Sequence, residues 1–198
     1  MRKIIAIIIL ISLGVTFYFY ISNKMEQNTG KEIESNGLVE GKIISQAKAD
    51  YEELLKKVRK LQVNPDQLAE FNCMITKILY SGKPDDEEAA LLLKLQREYY
   101  SKQTLNNNPE DIHLERLQKE LEEYKKANYS IIGYKVIGPQ FIESEKDERP
   151  MMIFNVIYYM NVTSDQGEVY KGYIFEQNKD KLWELKGFGS IEGFPIIN

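Results

Sequence analysis

Cysteine occurs once in this 198-residue chain, at position 73, histidine once, at 113, and tryptophan once, at 183. A single cysteine forbids an internal disulfide, so a folded body must be held by its apolar core. Without a cysteine pair or a second histidine there is no zinc spacing, and "DDEE" and "EKDE" read as solvated turns and helix starts instead of calcium loops. Basic excess is missing too, with 26 Lys and Arg against 30 Asp and Glu. Nucleic-acid binding, which needs a concentrated positive surface, is disfavoured. No phosphate-cradling loop is present: "GFGSIEGF" lacks both a strand-to-helix setting and a lysine. These absences imply no metal and no cofactor. Cys73, inside a helical pattern, reads as a small buried apolar side chain. Asn128-Tyr129-Ser130 and Asn161-Val162-Thr163 fit the glycosylation acceptor pattern, which also arises by chance.

Long apolar runs are absent with one exception. From Ile4 to Ile21 no charge occurs over 18 residues. At about 1.5 Å per helical residue this run reaches roughly 27 Å, close to the hydrocarbon thickness of a bilayer. Cleavage after Ser12-Leu13-Gly14 would leave a mature chain opening on an exposed aromatic stretch, so the run is expected to be retained as an anchor. Residues 1–3 form the cytoplasmic end, and Arg2 and Lys3 orient the N-terminus inward, with Tyr18 and Tyr20 near the far interface. The expectation is a single-pass protein of the cell membrane, its bulk outside the cell. Setting aside Arg2 and Lys3 leaves 24 basic and 30 acidic residues, a formal charge near minus six on that outer part.

Residues 22–45, rich in Asn, Gly, Ser, Glu and Lys, read as a flexible tether. Residues 46–198 carry the folded part, first helical and then extended. Ala47, Tyr51, Leu54, Leu55, Val58 and Leu61 recur at helical spacing. Asn64 caps a second helix, with Pro65 at its first position and Leu68, Phe71, Ile75, Ile78 and Leu79 as its stripe, stopped by Ser81-Gly82. A third helix starts near Pro84 and turns Leu92, Leu93, Gln96, Tyr99 and Tyr100 inward. Asn108-Pro109-Glu110-Asp111 repeats the cap chemistry before a fourth, whose seam is Leu114, Leu117, Leu121 and Tyr124. Strands are predicted over Ser130–Ile142, Met151–Thr163, Glu168–Gln177 and Leu182–Phe188, with separators short enough for antiparallel hairpins. Gly138-Pro139 implies a bend or bulge on an edge strand.

The stretch "VYKGYIFEQNKDKLWELKGF", an aromatic strand, a polar turn and a strand bearing Trp183, resembles the last hairpin of the nuclear transport factor 2-like, or cystatin-like, group. The likeness covers roughly Ala47 to Phe188, and the chain is also similar to short membrane-anchored proteins of clostridia-like Gram-positive bacteria. The resemblance implies an α+β fold: about four helices packed on a curved four-stranded antiparallel sheet, cone-like, with an internal pocket. Fold alone does not assign activity. Enzymes of the group use a carboxylate, or an Asp with a His, beside a Tyr. Here His113 falls outside the leucine seam and reads as a solvated side chain. Glu143, Glu176 and Glu184 are acids on or beside strands, the outward-facing position being the commoner for them.

Tyr99, Tyr134, Tyr158, Tyr173 and Trp183 are the candidates for a pocket or binding surface, since tyrosine serves both core and site. Alternation sends Tyr158 and Tyr159 to opposite faces. The function expected is a non-enzymatic, membrane-anchored extracytoplasmic binding or scaffold domain. Its partners would be the bilayer, through Ile4 to Ile21, and an envelope protein, a peptide or a small apolar ligand. Two alternatives are an assembly component of an envelope or secretion complex, resembling a subunit of type IV secretion channels, and an anchored enzyme with an acid and a Tyr in the cone.

Overall fold

The computed structural model describes residues 38–142, 149–162 and 165–190. The anticipated span Ile4–Ile21, the tether up to residue 37, and Glu143 lie outside the described residues. Among the described residues no helix is long and apolar enough to cross a membrane.

The fold is α+β. After a 3-10 turn at Glu40–Lys42 come six helices: α1 (Ile43–Ala49), α2 (Tyr51–Leu61), α3 (Pro65–Leu79), α4 (Asp86–Arg97), α5 (Lys102–Asn107) and α6 (Glu110–Lys126). Four strands follow, β1 (Ser130–Ile142), β2 (Met151–Val162), β3 (Asp165–Gln177) and β4 (Trp183–Ser190), all antiparallel in the order β1-β2-β3-β4.

Six helices replace the expected four for local reasons. Asp50 adopts φ −155° and ψ 89°, which breaks the first predicted helix, and its carboxylate accepts the Glu53 N–H to cap α2. Ser101 likewise accepts the Thr104 N–H and starts the short α5 in what looked like a connector. Asn64 caps α3 as expected, taking the N–H groups of Asp66 and Gln67, and Gly82 closes it at φ +75°, a conformation that costs glycine nothing. Asp85 and Glu88 make a reciprocal capping box at α4. Asn108 departs from the reading: its side-chain amide donates to the Thr104 carbonyl, closing α5, and Pro109 holds the cap position of α6. The folded body also begins earlier than predicted. Leu38 and Ile43 are fully buried, so residues 38–45 belong to it and not to a tether.

Along β2 the first half, Met152 to Val156, is buried on both faces, and alternation shows only beyond it. Met152, Phe154, Val156, Tyr158 and Met160 point into the core with Tyr173 and Phe175 of β3, while Tyr159 is half exposed on the other face. β1 is an edge strand with register shifts at Ile131/Gly133 and Ile137/Pro139, where Gly138-Pro139 interrupts the ladder. The opposite edge is covered by chain from the helical half. The Leu185 N–H donates to the Tyr99 carbonyl at 2.7 Å, the Ser101 N–H returns to the Leu185 carbonyl at 2.9 Å, and the Trp183 N–H donates to Gln62. Those bonds satisfy an otherwise open strand edge and fix α4 and α5 against the sheet. The β3–β4 turn is built by Asn178, whose side-chain oxygen accepts the N–H groups of Asp180 and Leu182.

Candidate functional site

Between the inner sheet face and helices α3, α4 and α6 lies a cavity of about 200 Å³. Its floor comes from the middle of α3, a helix so enclosed that Phe71, Asn72, Cys73, Met74 and Ile75 are all buried in succession. Asn72 is 1% exposed. Its Oδ1 accepts the Tyr99 hydroxyl at 3.0 Å and the Gln96 Nε2–H at 3.3 Å. Its Nδ2 has no hydrogen-bond partner and is itself closed off, although the residue borders the cavity. A buried donor left without an acceptor costs about 1–3 kcal/mol, so the floor carries an uncompensated polar group.

Beside it, the hydroxyls of Tyr158 and Tyr173 meet at 2.8 Å. The Tyr158 hydroxyl is also within reach of the Cys73 thiol, and that of Tyr173 of Thr76. Burial, ahead of every other cause, pushes the pKa of both tyrosines and of Cys73 upward. At neutral pH these groups keep their protons and serve as hydrogen-bond partners, not as bases or nucleophiles. Leu79, Leu93, Leu117, Ile131, Met160 and Val169 supply apolar wall.

The rim belongs largely to α6, where His113, Leu117, Glu120 and Tyr124 recur at helical spacing and all face the cavity. Glu120 is exposed and accepts the Tyr80 hydroxyl at 2.8 Å. Lys171, on β3, completes the rim. His113 is half-buried, not solvated as its distance from the leucine seam suggested. An Arg97 guanidinium nitrogen sits 3.2 Å from its Nδ1. Since arginine only donates, Nδ1 accepts and the ring is neutral with its proton on Nε2.

Burial lowers the His113 pKa below 6.5, with Arg97 and Arg116 adding to the effect. The unfolded chain therefore takes up the proton first. The stability carried by the neutral ring is complete above the unfolded value and is lost as pH falls through the lower folded one. Thermal melts between about pH 7.5 and 5.5 are expected to show a steeper acid loss in the natural chain than in His113→Gln; equal slopes would remove His113 from the acid response.

Of the five anticipated site residues, the structure brings Tyr158 and Tyr173 together on the cavity. Tyr99 lies behind the floor and acts through Asn72. Tyr134, half-buried on β1, turns its hydroxyl to the Glu70 carbonyl at 3.4 Å, and Trp183 is buried on β4; neither lines the cavity. Glu176 and Glu184 face each other across β3 and β4 in the register opposite to that of Tyr173 and Phe175. Glu176 is held there by Lys186 at 2.6 Å and Arg149 at 3.1 Å. Asn72, Thr76, Gln96, His113 and Lys171 were not singled out as site residues from sequence. The signal that could have found Lys171 is its place in the inward register of β3, two residues from Tyr173.

An α+β domain with a partly polar cavity under its sheet is the class this geometry defines. The chain belongs to the family DUF6715, a domain of unknown function, whose pattern matches residues 1–188. Comparison with curated proteins gives no match.

Proposed function

We propose that this chain is a membrane-anchored binding domain, working outside the cell and without catalysis, that holds a small ligand in the cavity above α3. The single observation that carries the reading is the cavity of about 200 Å³ between the sheet and helices α3, α4 and α6, apolar along its walls and bordered by Asn72, Gln96, Tyr158 and Tyr173. Apolar walls with a few convergent polar groups are the usual character of a small-ligand site. Binding is favoured over catalysis by the character of the inner groups. The floor offers amides and hydroxyls, the tyrosines hold their protons, and the nearest histidine already has Nδ1 engaged by Arg97. The resemblance to cone-shaped extracytoplasmic domains and the leading apolar run support the placement.

A neutral probe tests the cavity. With the full chain in lipid nanodiscs, 4-ethylphenol is expected to raise the melting temperature and to give saturable heat in titration calorimetry. Val169→Trp, which fills the cavity from its half-exposed wall, is expected to abolish both while keeping a cooperative melt. Equal binding by the natural and filled chains would overturn the reading.

A further inference from the structure

The ligand's chemical class can be argued from two features of the same cavity, and this argument rests on the binding reading above. The first is size. A cavity of about 150 Å³ holds benzene, so one of about 200 Å³ suits a molecule of roughly eight to ten non-hydrogen atoms. Apolar walls on both the helix and the sheet side call for a ring or compact hydrocarbon body.

The second feature is Lys171. Strand alternation puts it in the inward row with Val169, Tyr173 and Phe175, opposite Val156 of β2. It is half-buried, lines the cavity and makes no ion pair among the described residues. A lysine that borders an apolar cavity without an ion pair favours an anion brought beside it. Glu120, the carboxylate on the rim, is exposed and engaged by Tyr80.

Desolvation sets the orientation: a carboxylate is costly against the buried floor and favoured beside Lys171.

We propose that the cavity takes a small monocyclic carboxylate, its charged end against Lys171 and its ring between the helices and the sheet. No bond is made or broken in this assignment.

Calorimetry on the full chain in nanodiscs tests it with 4-hydroxybenzoate and the isosteric 4-hydroxybenzamide. The natural chain is expected to bind 4-hydroxybenzoate about tenfold more tightly than the carboxamide, as loss of a charge-assisted contact implies. In Lys171→Met the preference for carboxylate over carboxamide is expected to collapse to near one, with Val169→Trp as the control that blocks every probe. If the carboxamide binds as tightly as the carboxylate in the natural chain, or the preference survives Lys171→Met, the ligand class is wrong although the cavity still binds. If none of these probes binds, and 4-ethylphenol does not either, the binding reading itself falls.

Discussion

Phe154→Ala is expected to lower the unfolding free energy by about 3–5 kcal/mol, the range for deleting an enclosed aromatic ring from a core that cannot collapse around the gap. Phe154 is wholly buried at the centre of the inner sheet face. It lies opposite Tyr173 in the β2–β3 register, with its ring edge-on to Phe175 at 5.6 Å. Truncation removes the transfer free energy of the ring, the edge-to-face contact and the support behind Tyr173, whose hydroxyl reaches the cavity floor. Phe154→Leu keeps most of the volume and is expected to cost no more than about 1.5 kcal/mol. Trp183, the one tryptophan and itself buried, makes urea unfolding visible by fluorescence. A loss below about 1 kcal/mol for the alanine variant, with an unchanged denaturant slope, would mean that the inner face is not the packed core described here.

The second large effect concerns the proposed anchor. Ile4 to Ile21 is dominated by Ile, Leu, Phe and Val, residues that favour insertion at a helix centre by about 0.3–0.6 kcal/mol each. Summed over the run, that preference should place nearly all of the chain in the membrane fraction after an alkaline wash. A chain starting at Ser22 should appear almost entirely in the supernatant, and protease added outside intact cells should remove the body. Ile11→Arg with Leu13→Arg, at the middle of the run, adds about 2.5–3.5 kcal/mol per residue near the bilayer centre and should shift the balance without touching the body. A soluble mature chain beginning near Val15, or a body shielded from external protease, would contradict the anchoring and the location together.

Much of the fold can be read locally. The stripe Leu68, Phe71, Ile75, Ile78 and Leu79 is buried in α3, and Asn64 caps that helix as its spacing implies. The four strands fall close to their predicted limits, and Tyr158 and Tyr159 part to opposite faces. The misreadings have equally definite causes. On α6 the predicted seam Leu114, Leu117, Leu121 and Tyr124 does pack against the core, but the row that lines the cavity is His113, Leu117, Glu120 and Tyr124, and His113 and Glu120 carry no apolar signal. On α3 a polar Asn72 between Phe71 and Cys73 gives no periodic signal, because a helix buried on nearly every side has no face on which asparagine looks misplaced.

Helix starts, strand alternation and the bulge at Gly138-Pro139 are properties of a few neighbouring residues, governed by capping hydrogen bonds, backbone sterics and side-chain period. They are written in the chain before it folds. Only the packing of helices on the sheet decides that Asn72 of α3, Gln96 of α4, His113 of α6 and Lys171 of β3 border one cavity. Their meeting depends on the relative placement of segments far apart in sequence, set by Phe154, Tyr173 and the bonds from Tyr99 and Ser101 to β4, and no local pattern encodes it.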